Sequence, residues 1–146
     1  MGLFWTVKNN IFMNLFYAEA YGADVTWLPD YNSLYNNNYA GYNGGFYDTL
    51  ASWRTALGGC PGTNHECNSI ATNPNLNSDY TPKSNSPTVG AGVNLTSLGI
   101  TALNSDKNGI ARPATGAWDI GAMEYVSGGG STGANSGCFM SGGIIQ

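Results

Sequence analysis

Two groups of residues have the types and spacing from which a chemical site can be built. The first is Cys60-Pro-Gly-Thr-Asn-His65-Glu66-Cys67, where two thiols, an imidazole and a carboxylate share one short loop. In an oxidising setting, cysteines this close read as a short-loop disulfide. Zinc is the alternative, with His65 and Glu66 beside the thiols, although the spacing matches neither a zinc finger nor a His-Glu-x-x-His site. His65 is the only histidine, so any Ser-His-Asp triad would have to use it, and there is no Gly-x-Ser-x-Gly elbow. A solvated loop residue is the simpler reading. The second group is Asp106, Asp119 and Glu124 around Arg112. Paired carboxylates are the equipment of glycoside hydrolysis. An arginine among them holds acids ionised and paired, which suits a structural cap better than proton donation. No catalytic residue and no metal ligand set is therefore assigned. Calcium on Asp24, Asp30 or Asp106 stays open, without an Asp-x-Asp-x-Asp loop to support it.

A third set suits binding rather than reaction. Tyr31, Tyr35, Tyr39, Tyr42 and Tyr47, with Phe46, fall close together among Asn and Gly. Aromatic faces beside amide side chains stack sugar rings and hydrogen-bond their hydroxyls, so these tyrosines are the candidate carbohydrate-binding residues. Covering the flank of the fold is their other use.

Composition limits the function classes. Only 10% of the 146 residues are charged, against 21 glycines and 12% aromatics. That balance suits an extracellular β-protein better than a cytosolic helical enzyme. A net charge of −4, with five scattered basic residues, excludes a nucleic-acid interface. No apolar run reaches membrane-spanning length. The opening Met-Gly-Leu-Phe-Trp-Thr formally fits N-myristoylation but reads as the start of a strand. No signal peptide is visible, so an export signal is expected upstream of residue 1, or the chain is a piece of a longer protein.

These residues need elements to hold them. Leu3–Lys8 is β-rich and ends at Asn9-Asn10, a corner with Asn in a left-handed conformation or stacking its amide. Asp24–Leu28 is a second strand stopped by Pro29, and Tyr31–Tyr35 a third. Asn36–Asn38 and Asn43–Gly45 bracket a loop. One helix is expected from Asp48 to Leu57, capped by Asp48, with Leu50, Trp53 and Leu57 on one face and Gly58-Gly59 at its end. Turns dominate afterwards. Asn108-Gly109 makes a tight turn, Arg112-Pro113 an extended exit, and Trp118–Val126 a final strand. The sequence from 127 to 146 is a Gly/Ser-rich flexible tail containing Cys138, free or cross-linked.

Asp106-x-x-Gly109-x-x-Arg112-Pro113 followed by Trp118-Asp119-Ile120-Gly121-Ala122-x-Glu124-Tyr125 resembles the closing segment of secreted right-handed parallel β-helix proteins, the pectate-lyase-like and surface-anchored repeat family. Val7–Phe12, Asp30–Tyr35, Trp53, Asn68–Ile70, Asn73-Pro74, Asp79-Tyr80, Ser86-Pro87 and Ala91-Gly92 follow in the same order. Val89-Gly90 stands where such proteins usually carry Ile-Asp, and the Cys60–Cys67 segment looks inserted. The resemblance implies an all-β right-handed parallel β-helix of a few rungs over residues 1–126, with one short helix. It also implies a C-terminal cap strand built from Asp106, Arg112, Trp118, Asp119 and Glu124. Lyases of that architecture use calcium-holding acids and a basic residue, yet Arg54 falls on the helix and Lys8 at a corner, so no such trio assembles. The expected function is a non-catalytic secreted or cell-surface module, bacterial in the style of its tail, structural or contacting a polysaccharide. The rivals are a polysaccharide lyase or glycosidase fragment and a self-assembling module. An open first strand would take upstream rungs or a second copy. No cofactor is expected beyond the open question of calcium.

Overall fold

Asparagine corners divide the start of the chain. Asn9 and Asn14 take left-handed backbone, with φ of 58° and 59°, a conformation that asparagine tolerates better than most residues. They cut the apolar run into β1 (Leu3–Lys8), β2 (Ile11–Met13) and β3 (Tyr17–Ala20). The pattern returns in β4 (Val25–Asp30), β5 (Ser33–Tyr35) and β6 (Tyr39–Tyr42), with left-handed corners at Tyr31 and Asn36. Leu3 pairs with Val25, Ile11 with Ser33 and Tyr17 with Tyr39, all parallel. The corners are tied in the same register. Asn10 Nδ2 donates to Asn32 Oδ1 (3.3 Å) and Asn36 Nδ2 to Asn14 Oδ1 (2.7 Å), so side-chain amides occupy positions where the turning backbone lacks ladder partners. This computed structural model describes residues 3–20, 25–60 and 65–127. Asp24, the first two residues and the tail from 128 onward, Cys138 included, lie outside the described residues.

After β6 the direction changes. Asn43, Gly44 (φ 66°) and Gly45 reverse the chain into β7 (Phe46–Tyr47), which pairs antiparallel with β6. Helix α1 (Leu50–Ala56) follows. Its cap is Thr49 rather than Asp48. Ser52 N donates to Thr49 Oγ1 (3.1 Å) and Thr49 N to Ser52 Oγ (3.2 Å), a reciprocal capping box that Asp48, one residue too early, could not close. Leu50, Trp53 and Leu57 enter the core with Leu34 and Ala40. Gly41, opposite Glu19 in β3, is required there: a Cβ at this position would run into the six-membered ring of Trp53. Gly41→Ala is therefore expected to destabilise the fold by about 1–3 kcal/mol, read as a lower urea midpoint at unchanged slope.

Several sequence expectations need correction. The right-handed parallel β-helix does not form. Among the described residues the sheets are small, two of two strands and one of three, and the last is mixed. Among the described residues beyond Tyr42 the pairing reduces to β7 and isolated bridges such as Ser33 with Ile70. Asn, Pro and Gly in residues 71–95 break the backbone too often for a further strand. β4 also runs through Pro29 to Asp30. Pro29 stands opposite Val7 in a two-stranded sheet, and its carbonyl accepts from Glu66 N (2.7 Å), so no proline amide is needed.

The C-terminal cap strand is absent as well, because carboxylates occupy the amides a ladder would use. Glu124 N donates to Asp106 Oδ2 (3.0 Å), Tyr125 N to Asp119 Oδ2 (2.6 Å) and Asp119 N to Glu124 Oε1 (3.1 Å). Gly121, at φ 123°, turns the chain within that stretch. Trp118, Ile120 and Met123 are buried regardless. The segment joins the first corner through Asn9, which exchanges 2.8 Å bonds with Val93 and accepts from Gly121 N (2.9 Å).

Candidate functional site

Three clusters hold the chemistry-bearing side chains. The outermost is aromatic. The parallel register sets Tyr17 beside Tyr39 and Ala20 beside Tyr42, and the hairpin brings Phe46 back against Tyr42. Phe16, at the entry to β3, completes the group. Its ring meets Tyr39 and Phe46 edge-on, with centroids 5.4 and 5.7 Å apart, while Tyr39 stacks on Phe46 at 4.4 Å. Tyr42 lies 5.1 Å from Phe46 and 6.3 Å from Tyr17. Edge and offset contacts of this kind fix ring orientation beyond simple burial. The rings nevertheless face solvent: Phe16 is 58% exposed, Phe46 50%, Tyr17 44% and Tyr42 37%. Asn38 and Asn43, the chain neighbours of Tyr39 and Tyr42, are exposed.

Of the tyrosines singled out from sequence, Tyr39 and Tyr42 join this face. Tyr47 turns to Trp53 instead, with ring centroids 5.3 Å apart. Tyr31 sits at the β4–β5 corner, where Lys8 Nζ lies 5.5 Å over its ring, and Tyr35 belongs to β5 in a different sheet. Phe16 and Tyr17 are the members that sequence reasoning missed. Their signal is the recurrence of Asn10, Asn14, Tyr17 and Ala18 as Asn32, Asn36, Tyr39 and Ala40.

A second cluster is buried beside the first. Trp53 Nε1 donates to Glu19 Oε2 (2.8 Å), and Asn32 Nδ2 donates to Glu66 Oε1 (3.0 Å). Glu19 is 3% exposed and Glu66 fully enclosed. Burial pushes the Glu19 carboxyl up to about 10, the hydrogen bond and charge of Glu66 add to the rise, and the Trp53 bond opposes it. Acids this enclosed are out of reach of a glycosidic bond, which the catalytic carboxyls must flank directly. Cys60 and Cys67 stand at disulfide distance next to Glu66, Sγ to Sγ 2.11 Å.

The third cluster brings Asp106, Arg112, Trp118, Asp119 and Glu124 together. Arg112 pairs with Glu124, gives Nη2 to Gly121 O (2.9 Å) and lies 5.2 Å over the Trp118 ring. Asp106 accepts from Asn108 N (2.7 Å) and Ile110 N (2.8 Å), and Asp119 from Gly90 N (2.7 Å). Burial raises the Glu124 carboxyl above the ordinary value, and Asp119's charge adds to that, against the Asp119 amide and Arg112. Arg112 draws the Glu124 carboxyl down but is outweighed. These acids bind backbone, and the cluster fastens loops.

Asp30 likewise accepts from Asn68 N (2.7 Å) and Asn68 Nδ2 (2.8 Å). Among the described residues no three His, Cys, Asp or Glu side chains converge as a metal site, and no helix is long and apolar enough to cross a membrane. No protein-family model, no curated protein and no solved structure matches this chain.

Proposed function

We propose that this chain is a non-catalytic, glycan-contacting module of a secreted or cell-surface protein. Its contact surface is the face formed by Phe16, Tyr17, Tyr39, Tyr42 and Phe46. The observation that carries this reading is five rings held in mutual contact, four of them exposed and Tyr39 half-buried, with exposed asparagines next to Tyr39 and Tyr42 in the chain. Pyranose rings present C–H faces that cover aromatic carbon, and their hydroxyls suit amide partners. The glycan is neutral. All five basic residues fall elsewhere in the chain: Arg54 and Arg112 are engaged, Lys8 lies over Tyr31, and Lys83 and Lys107 sit in later turns. A polyuronate would find no cation to neutralise it, on a chain of net charge −4. The Cys60–Cys67 pair supports an oxidising compartment.

Titration calorimetry with a neutral xylan or glucomannan and with polygalacturonate tests this. Binding to the neutral polymer, weakened about tenfold by Phe46→Ala, and no binding to the acidic one are expected. No reducing ends or unsaturated products should appear on incubation. Unchanged binding by Phe46→Ala, or preference for the polyuronate, would overturn the reading. Concentration-dependent association abolished by the same substitution would instead give the face to a second copy of the chain.

A further inference from the structure

We infer that the five-ring face takes single, soluble glycan chains and rejects the flat surface of a crystalline polysaccharide. The inference rests on the glycan reading above and narrows it to the physical form of the ligand. The angles between the rings carry it. Phe16 stands at 68° to Tyr17, 77° to Tyr39 and 84° to Phe46. Tyr42 is tilted 54° from Phe46 and 32° from Tyr17. Tyr39 and Phe46 come nearest to a common orientation, at 27°, but they are stacked with centroids 4.4 Å apart, so each spends a face on the other. No contacting pair of the face lies side by side in one plane.

A crystalline polysaccharide offers a rigid plane of pyranose C–H faces, and an aromatic ring gains fully from it only when the two surfaces are parallel. Dispersion falls off steeply, so that a gap of about 0.5–1 Å forfeits a quarter to a half of the well. A plane seated on Tyr17 meets Tyr42 at 32°, which lifts the far edge of that ring by roughly 0.7 Å relative to its centre. The same plane meets Phe16 nearly end-on. Only one ring is engaged at a time. A free chain turns about its glycosidic bonds, so successive sugars present faces inclined to one another. Tyr17 and Tyr42 suit two neighbouring sugars of such a chain, since both are exposed and their centroids are 6.3 Å apart. The chain then crosses from β3 to β6, toward exposed Asn43, the residue after Tyr42.

The tilt is built in. β3, β6 and β7 are paired into one sheet, and the Trp53 ring lies against Gly41 in β6. Swinging Phe16 flat would break its edge contacts with Tyr17, Tyr39 and Phe46 together. The rings are therefore set before a ligand arrives.

The test compares glycans in two physical forms, using the intact chain. Soluble cellohexaose, mannohexaose and xylohexaose are titrated by calorimetry, and microcrystalline cellulose and crystalline mannan are used to deplete the protein from solution. Saturable binding to at least one hexaose is expected, with no depletion by either crystalline polymer. Tyr17→Leu keeps an apolar side chain beside Phe16 but removes the ring face, and should weaken hexaose binding about tenfold. Tyr42→Ala should do the same. Depletion by a crystalline polymer, with or without hexaose binding, would overturn the inference and leave the glycan reading in place. Binding to neither form would overturn both. Unchanged hexaose affinity in Tyr17→Leu and Tyr42→Ala would overturn the path across those two rings.

Discussion

Trp53→Ala is expected to lower the stability of the chain by about 3–5 kcal/mol, the usual cost of emptying a buried aromatic site. Trp53 is wholly buried and lies over the backbone of Gly41, beside Tyr47 and in the cluster of Leu34, Ala40, Leu50 and Leu57. Neither β6 nor the helix can close the space, since the first is fixed by pairing to β3 and β7 and the second by its Thr49 cap. The substitution also takes the donor from Glu19 Oε2, on a buried carboxyl. Trp53→Phe separates the two contributions. It keeps most of the packing, so the remaining loss of about 1–3 kcal/mol is that of an acceptor left without a partner. Urea denaturation at pH 5 and at pH 8 gives both numbers. A loss for Trp53→Ala under about 1 kcal/mol would mean that the tryptophan is not the keystone of this core.

Arg112→Met is expected to cost about 3–5 kcal/mol, through a different cause. The side chains of Arg112 and Glu124 are 9% and 8% exposed, so removing the cation leaves an acid enclosed beside Asp119. Arg112 also holds Gly121 O and covers Trp118. Adding Glu124→Leu removes the orphaned charge and should recover part of the loss, because a buried ion pair replaced whole is often near neutral. Recovery should be incomplete, as Glu124 Oε1 also accepts from Asp119 N. Comparing the two single variants with the double gives the coupling directly. Additive effects would show that the pair acts through its separate contacts with backbone.

The corners were the most legible part of the fold. Asn9-Asn10 announced a turn with left-handed backbone or a stacked amide, and both occur, at Asn9 and Asn10 respectively. β1 and the helix face of Leu50, Trp53 and Leu57 were equally plain, since apolar spacing decides them locally. The last strand was misread for a physical reason. Trp118-Asp119-Ile120 alternates as a strand should, but Asp106, Asp119 and Glu124 take the backbone amides themselves, and side-chain capture of amides leaves no trace in hydrophobic period. The same acids kept the expected site residues together while changing their meaning, from a strand cap to a knot of loops. The parallel β-helix failed for want of further parallel strands among the described residues after Tyr42, where β7 turns back. Glu19 escaped notice, and Glu66 was weighed only as a zinc neighbour of the Cys60–Cys67 loop, because nothing local marks an acid for burial. Tyr31, Tyr35 and Tyr47 were grouped with Tyr39 and Tyr42 by closeness in sequence, whereas strand register sorts them into different surroundings.

The most direct measurement is NMR titration of the ring protons with a neutral xylo- or manno-oligosaccharide. Saturable shifts concentrated on Phe16, Tyr17, Tyr39, Tyr42 and Phe46, with Tyr31 and Tyr125 unmoved, are the expected result. Shifts confined to the 104–126 segment, or no saturable shift on those five rings at millimolar sugar concentration, would contradict it.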